Sequence, residues 1–208
     1  GMNDETGRAV AVSLYDITDL TNPDPLVARA EVVADNSWSE ANWDHRAFSV
    51  IEDAVAVQAG GGVVETGLVL LPFTGWDSRT QTWTAGVQIY TFSETTLTRR
   101  GVMNHGSPVH RTFQPAEEAA ANLSQEELSL FDLIDPDRPR ELSRLDLAPN
   151  YTDVIPFGAY AVRRKERDDW YRTYYGGQAR PAVAQVIPRD VHPDSAQPVA
   201  SFEVPRGA

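Results

Sequence analysis

Short runs of alternating apolar and polar residues recur along the chain, and each run ends in a cluster of turn-forming residues. In residues 12–26, VSLYDITDLTNPDPL, the alternating positions end at an Asp, and a cluster of Asp, Asn and Pro follows. Proline fixes φ, and Asp or Asn side chains bind nearby backbone N–H groups, so the cluster predicts a tight turn. A second apolar run, LVARAEVV, begins at Leu26. The pattern therefore predicts a β-hairpin.

The same pattern returns 116 residues later, without a gap, in residues 128–142 (LSLFDLIDPDRPREL). The aromatic residue Tyr15 aligns with Phe131, and the turn residue Asp16 aligns with Asp132. Self-similarity at a fixed distance indicates a repeat architecture. The hairpin is therefore predicted to be a repeated unit.

A weaker third copy, GVQIYTFSETTLTRRGVM, places Tyr90 at the aromatic position, 41 residues before Phe131 and 75 residues after Tyr15. The longer distance corresponds to one unit plus an insertion, to which we assign residues 54–66. One hairpin buries a single face and needs neighbours, and a unit of about 40 residues with four strands is typical of a propeller blade.

Further apolar runs supply the other strands of each unit: HRAFSVIED, GLVLLPF, VHRTFQP, AAANLS, YTDVIPFGAYAVRR and RPAVAQVIPRD. Residues 115–128 favour a helix by propensity, because a Pro, acids and alanines occur in the order of a helix start. The repeat register favours a strand there, and we predict a strand because tertiary context overrides propensity. The predicted fold class is all-β, with β-propeller-like blades of four antiparallel strands in a partial propeller of about three blades.

Two boundaries are expected in the chain. Residues 1–7 are interpreted as a leader segment, and residues 8–208 as a single β-propeller-type domain. Strands near 151–163 and 181–187 are expected to pair beside the N-terminal hairpin and to complete a blade. Since propellers normally close with four to eight blades, we favour a fragment of a longer propeller over a six-bladed ring made by two chains.

Composition narrows the classes of function. The net charge is −12 at pH 7, which disfavours phosphate backbones and anionic membranes, so neither is an expected partner. The chain has no cysteine, which excludes disulfides and thiolate metal sites. No apolar run reaches membrane-spanning length. Only Lys165 among the 18 basic residues is a lysine, and this arginine bias indicates a GC-rich bacterial genome.

Residues 39–48 hold the most specific motif, which is Ser-Glu-Ala, two variable positions and Asp-His-Arg-Ala-Phe. Together with the hairpin copies, this motif resembles bacterial secreted proteins with a C-terminal β-propeller domain that is distantly related to WD repeats. The turns also resemble short LVIVP-type propeller repeats. The resemblance covers roughly residues 8–165. It implies a propeller in a secreted or cell-envelope protein, and it implies no catalytic residue.

Three hypotheses address this motif. In the structural one, Asp44 and His45 form a clasp that ties the turn of one strand to the next, by analogy with propeller repeats. In the binding one, the segment is a ligand or partner surface, because loops at blade tips carry function. The candidate residues for that surface are Trp38, Glu40, Asn42, Trp43, Asp44 and His45. Acid–base catalysis by Glu40, Asp44 and His45 is disfavoured, because adjacent strand residues point to opposite faces.

Other candidate sites are weaker. His105 and His110 lie five residues apart without a carboxylate at metal-ligand spacing, so a solvated loop is favoured over a zinc site. The acidic turns lack the dense Asp, Asn and Gly alternation of a calcium loop, which leaves only weak Ca²⁺ binding open. Residues 165–177 are predicted to be a loop, and the aromatic patch at 170–175 serves packing or an interface. We expect no metal and no cofactor.

The favoured function is a non-enzymatic secreted or envelope β-propeller scaffold for binding or protein interaction. The alternative is an envelope enzyme, of hydrolase or lyase type, with its site in the central funnel of the propeller. Expected partners are an unknown protein or glycan and an upstream part of the same polypeptide, with no nucleic acid and no membrane span. The identity of the ligand and the oligomeric state stay open at this point.

Overall fold

The computed structural model of the protein describes residues 9–78, 80–147, 151, 153–165, 182–193 and 195–204. The chain divides into two compact units at the boundary between Leu145 and Asp146. Helical structure within the described residues is limited to two short 3-10 turns, Glu40–Asn42 and Gly60–Gly62. The prediction of an all-β fold is therefore confirmed. Across these residues no helix is long and apolar enough to cross a membrane.

The strands are numbered in chain order. The first unit holds β1 (Ala11–Tyr15), β2 (Leu26–Glu31), β3 (Asn36–Trp38), β4 (Ser49–Ile51), β5 (Val57–Gln58), β6 (Val64–Glu65), β7 (Gly67–Asp77), β8 (Thr82–Phe92), β9 (Leu97–His105), β10 (Arg111–Ala116), β11 (Ala119–Leu123), β12 (Glu127–Asp132) and β13 (Arg140–Asp146), whose last residue crosses the boundary. The second unit holds β14 (Asp153–Phe157), β15 (Tyr160–Lys165), β16 (Ala182–Pro188) and β17 (Ala200–Val204).

The strands form sheets that match the predicted blades. In the first unit, β10-β11-β12-β13 is a four-stranded sheet, and β3 and β4 both pair with β7 in a sheet that continues through β8 and β9. The hairpin β1-β2 is a two-stranded sheet, and β5-β6 is a small separate hairpin within the predicted insertion. The second unit is the four-stranded sheet β14-β15-β16-β17. Blades of four antiparallel strands are thus confirmed.

The turns of the first and last repeat copies have the same hydrogen bonds. Asp16 accepts a hydrogen bond from the N–H of Thr18 at 2.9 Å, and its counterpart Asp132 accepts one from the N–H of Ile134 at 2.9 Å. In such an Asx turn, the side chain binds the backbone N–H two residues further along the chain, so the turn depends only on local sequence. The 116-residue register is therefore a structural repeat.

The sheet of β3, β4, β7, β8 and β9, here called the central sheet, is covered on both faces. One face packs against the β10–β13 sheet through Leu68, Leu70, Val87, Ile89, Met103, Val109, Ala120, Phe131 and Leu133. The other face packs against the β1-β2 hairpin through Val32, Ala34, Val69, Leu71, Phe73 and Tyr90, with Val10, Val12 and Ala30 beside them. Burial on both sides explains why β7 is a continuous apolar run and not an alternating one.

Residues 115–128 form strands, as the repeat register predicted. The chain turns at Glu118, which has a φ of 55°, and β11 then pairs with β12. Ala120 and Ala121 are buried in this sheet, with exposed fractions of 0% and 4%. Alanine has a high helix propensity, but here its small side chain fills a buried position between two sheets, and tertiary packing decides.

The expected closure across the termini is wrong. Strands β14, β15 and β16 do not pair with the N-terminal hairpin; they pair with one another and with β17, and β1 pairs with β2 alone among the described strands. Sequence analysis missed β17, which supplies the fourth strand of this sheet. Pairing strands that are near in sequence costs less loop-closure entropy than pairing the two ends of the chain. The predicted loop 165–177, with its aromatic patch, lies outside the described residues except for the end of β15.

The insertion hairpin is fixed by a buried carboxylate. Glu65 on β6 has an exposed fraction of 0%; it accepts hydrogen bonds from the hydroxyls of Thr91 and Thr98 and forms an ion pair with Arg100 at 3.0 Å. Arg100 also contacts Asp137 at 3.3 Å. Burial by itself raises the pKa of Glu65, but these hydrogen bonds together hold it below its usual range. The charged form of Glu65 is thus the one that the fold stabilises.

Candidate functional site

The motif at residues 39–48 interrupts the first strand of the central sheet. Strand β3 pairs with residues 74–76 of β7, and β4 pairs with residues 68–70 of the same strand. The ten residues between β3 and β4 therefore lie opposite only three residues of β7. The extra length leaves the sheet as a loop, here called the 39–48 loop.

Pro72 explains why the strand can be interrupted at this place. Proline lacks the N–H that a continuous neighbouring strand would need, and such prolines occur where a ladder is open. The Pro72 carbonyl is instead satisfied by the hydroxyl of Ser39, which donates to it. The same Ser39 oxygen accepts a hydrogen bond from the N–H of Ala41 at 3.1 Å and begins the 3-10 turn. Ser39 is 1% exposed, so it closes the gap in the sheet.

The two ends of the loop are held in the interior. Ala41 and Phe48 pack against the apolar cluster beside the β1-β2 hairpin, and Ala47 is fully buried. Inside the loop, the N–H of Asp44 donates to the Glu40 carbonyl at 2.9 Å. Residues between these buried positions are consequently held on a short, internally bonded segment.

The outward side of the loop carries an exposed tryptophan, one ion pair and one contact between a carboxylate and an imidazole. Trp43 is 84% exposed. Glu40 Oε1 lies 3.8 Å from His110 Nδ1, and Asp44 Oδ2 lies 2.5 Å from Arg111 Nη2. His110 and Arg111 stand at the start of β10, which is the first strand of the next sheet. These five residues are here called the Trp43 surface.

A further contact fixes the junction between the two sheets. The hydroxyl of Ser49, the first residue of β4, donates to the Thr112 carbonyl on β10 at 2.7 Å. The 39–48 loop and the start of β10 are thus tied together by the Ser49 hydrogen bond, the Asp44–Arg111 ion pair and the contact between Glu40 and His110. A surface built on such ties is ordered before any partner binds.

Asp44 is held in its charged form. The N–H of Arg46 donates to Asp44 Oδ1 at 2.9 Å and is the main cause of a pKa below the usual range of an aspartate. Desolvation opposes this effect, and Arg111 adds to it. An ionised, paired carboxylate is a poor proton acceptor near neutral pH, where a general base needs a pKa close to the working pH.

The structure joins some of the predicted site residues and separates others. Glu40, Trp43 and Asp44 share the Trp43 surface. Asn42 and His45 are exposed on the same loop, and His45 lies before β4, which begins only at Ser49. Trp38 is on β3, where its ring centroid lies 5.3 Å from that of Trp83 at an interplanar angle of 37°.

Sequence reasoning did not connect His110 and Arg111 with the loop. A signal was present, because the tetrapeptide His-Arg-Ala-Phe at 45–48 recurs as His-Arg-Thr-Phe at 110–113. Both tetrapeptides lie where the chain enters the first strand of a sheet. The pairing itself depends on contact between two sheets, which no local pattern reports.

Replacing Ser39 by alanine should lower the free energy of unfolding by about 1–3 kcal/mol, since it leaves the buried Pro72 carbonyl without a donor. Replacing the exposed His45 by alanine should change it by less than about 0.5 kcal/mol. Urea unfolding of both variants measures the difference. If the two variants lose equal amounts of unfolding free energy, His45 contributes as much as Ser39 to holding the 39–48 loop.

His105 is not in a solvated loop, contrary to expectation. It is the last residue of β9, its side chain is 0% exposed, and its Nδ1 lies 3.0 Å from both the Ser107 carbonyl and Glu127 Oε1. Its Nε2 is buried without a hydrogen-bond partner. Burial lowers the pKa of His105 although Glu127 opposes this shift, because a proton on Nε2 would have no acceptor. The neutral imidazole is therefore a core element between two strands.

The stability of the protein should fall as the pH drops below about 6.5, the pKa of a histidine in the unfolded chain. The unfolded state then binds a proton that folded His105, with its lowered pKa, does not bind, and one proton is worth at most about 1.4 kcal/mol per pH unit. His105→Asn keeps a donor near the Ser107 carbonyl and cannot titrate. Between pH 8 and 5.5, the free energy of unfolding should fall more steeply with decreasing pH in the wild type than in His105→Asn. Identical pH dependence in the two proteins would contradict a lowered pKa of His105.

Among the described residues, no group of three or more His, Asp or Glu side chains is placed to hold a metal ion. The exposed aspartates of the repeat turns bind their own backbone N–H groups, as Asp19 does with Thr21 at 2.9 Å.

Comparison with known proteins agrees with the architecture. A family model described as a beta propeller domain matches residues 1–126, which is more than half of the chain. The chain therefore belongs to the β-propeller domain family, and this part of the resemblance drawn from the sequence is confirmed. Comparison with curated proteins and with solved structures gave no match.

Proposed function

We propose that this protein is a non-enzymatic β-propeller scaffold, secreted or held in the cell envelope, that binds a partner protein at the Trp43 surface. The observation that carries the proposal is the exposure of Trp43, 84%, on a loop whose two ends are buried. When a partner covers a large apolar side chain that an ordered loop holds in water, the removal of this surface from water favours binding.

The composition of the Trp43 surface favours a protein partner. Tryptophan and arginine are enriched among the residues that contribute most to protein–protein binding. The flanking carboxylates Glu40 and Asp44 and the guanidinium of Arg111 provide charges of both signs beside the aromatic ring. Such a rim sets orientation and specificity around an apolar centre. A glycan, which stacks on aromatic rings and binds carboxylates, is the other outcome of the test below.

The charges of this surface argue against the enzymatic alternative. Asp44 has Arg111 as its cationic partner, and the pKa of Asp44 is lowered and not raised towards neutrality. A catalytic acid or base in a funnel would instead have a pKa shifted towards the working pH. The secreted or envelope location is supported by the resemblance to secreted bacterial propeller proteins.

Selection of a phage-displayed peptide library on the immobilised protein should yield peptides whose affinity falls about 30-fold in the Trp43→Ala variant, the loss expected for a residue that dominates an interface. Because Trp43 is exposed, its replacement should leave the thermal midpoint unchanged. The matched control is Phe157→Ala, which removes another exposed aromatic ring, 75% exposed, from the second unit.

The outcomes separate the candidate functions. If the selected peptides bind the Trp43→Ala variant as tightly as they bind the wild type and the control variant, the proposed binding surface is wrong. Binding to a glycan array that depends on Trp43, without selected peptides, would keep the surface and replace the protein partner by a glycan.

A further inference from the structure

The N-terminal hairpin exposes residues whose repeat counterparts are buried. Tyr15 is 54% exposed and Ile17 is 74% exposed, whereas Phe131 and Leu133, at the corresponding positions 116 residues later, are 4% and 1% exposed. Two alternate apolar or aromatic positions, 15 and 17, thus have the same sequence role as 131 and 133 and the opposite exposure. The difference arises from what lies next to each copy.

In the later copy, the turn and the strand face of β12 pack on the central sheet. Phe131 and Leu133 belong to its apolar cluster. The N–H of Gly101 on β9 donates to the Pro136 carbonyl at 2.9 Å. The counterpart of Pro136 is Leu20, which is 87% exposed. In the later copy, the residues equivalent to those of the N-terminal turn are therefore covered by a neighbouring sheet.

The two copies also differ at the edge of the sheet. Strand β12 pairs with β13 on one side and with β11 on the other, whereas β1 pairs only with β2 in the part of the chain that is described. The N–H of Val32 donates to the Val10 carbonyl at 3.0 Å, so residues 10 and 12 direct their backbone groups to the β2 side. The backbone groups of Ala11 and Ser13, which alternate with them, face the open edge.

The contact between β11 and β12 shows what fits that edge. Ala120 lies opposite Phe131, and Ala121 lies opposite Leu130. The small side chains of β11 leave room for the large ones of β12, and the large ones recur in β1 as Tyr15 and Leu14. A strand with large side chains at these places would crowd them.

We propose that the open edge of β1 is a docking site for a β-hairpin with small apolar side chains, which pairs with β1 as β11 pairs with β12. The addition would convert the two-stranded sheet into one of four strands, like the β10–β13 and β14–β17 sheets. Backbone hydrogen bonds along Ala11 and Ser13 would supply affinity, and the fit of small residues opposite Leu14 and Tyr15 would supply specificity. This surface is separate from the Trp43 surface.

The chain offers its own probe for this proposal. Residues 108–124 contain the β10-β11 hairpin, and in the 116-residue register Ser124 corresponds to residue 8. In a grafted chain, a second copy of residues 108–124 replaces residues 1–8, so that the added hairpin enters β1 in register. The backbone amides of Ala11 and Ser13 should then exchange with solvent hydrogen about tenfold more slowly than in the unmodified chain.

Two controls make the result decisive. The same graft with Asn122→Pro in the added copy has equal length but lacks the backbone donor that would face Ser13, since Asn122 lies opposite Ser129 in the β11-β12 pair. The free peptide 108–124, added to the unmodified chain, tests the edge without altering the protein, and a scrambled peptide serves as its control. Slow exchange at Ala11 and Ser13 with the graft or the peptide, lost in the matching control, supports the proposal.

Several results would overturn it. Equal exchange in the graft and its proline control, with no effect of the free peptide, would show that the edge does not accept such a hairpin. A dimer of the unmodified chain in sedimentation at low micromolar concentration, dissociated by Ser13→Pro, would assign the edge to a second copy instead. Neither result affects the peptide selection at Trp43, so the two proposals fail independently.

Discussion

Replacing Glu65 by alanine should lower the free energy of unfolding by about 3 kcal/mol, the cost of removing one partner from a buried ion pair. Glu65 is fully buried, and Arg100, whose side chain is 7% exposed, would lose its closest carboxylate. The loss stays at the lower end of the range for such pairs because Arg100 keeps its contact with Asp137 at 3.3 Å. Chemical denaturation of the two proteins at pH 7 measures the difference.

Glu65→Gln is the matched control, because it keeps the shape and one acceptor but removes the charge. The pKa of Glu65 is lowered in the folded state, so its contribution is complete above the unfolded pKa of about 4.3 and is lost as the pH falls below it. The wild type should therefore lose more stability between pH 6 and 3 than the Gln variant does. A wild-type-like stability of Glu65→Ala would show that the insertion hairpin does not depend on this carboxylate.

Gly101→Ala should destabilise the protein by about 1–3 kcal/mol, the usual cost of forcing atoms into a filled space. A Cβ at this position would lie 2.6 Å from the Asp137 carbonyl oxygen and 2.6 Å from Pro139 Cδ, and neither a backbone atom nor a proline ring can rotate away. The turn between β12 and β13 would have to leave β9, together with the hydrogen bond from Gly101 to Pro136.

Gly106→Ala is the control for this prediction. A Cβ there would meet Glu127 Oε1 at 3.5 Å, which is an ordinary contact with a flexible side chain. Gly106 directly follows β9, the strand that contains Gly101, so the two variants test the same part of the fold. Thermal unfolding should show a lower midpoint for the Gly101 variant and an unchanged one for the Gly106 variant. Equal midpoints would mean that the turn does not require the close approach at Gly101.

The repeat and the all-β fold were predictable from the sequence because they depend on local interactions. Asp16 and Asp132 bind the N–H group two residues further on in both turns, and a hairpin follows from such a turn between alternating strands. The choice of strand over helix for β11 was also correct, since the register of the repeat outweighed the propensity of its alanines.

The candidate site was predictable only in part. The motif at residues 39–48 marked the right loop, and Glu40, Trp43 and Asp44 lie together on its outward side. The side chains that contact the loop, His110 and Arg111, are 70 and 67 residues away from their partners Glu40 and Asp44 in the sequence. Their contact exists because two sheets pack side by side, which is a property of the assembled fold.

What the sequence determined by itself was the period of the strands, the form of the turns and the sign of the net charge, since each of these depends on neighbouring residues or on composition. Only the tertiary structure decided that His105 is buried and that β3 and β4 are parts of one interrupted strand. It also decided that β14–β17 form their own sheet and that, among the described strands, β1 pairs only with β2. These features depend on which surfaces meet across long distances in the chain, and burial and pairing are settled there by packing and not by local preference.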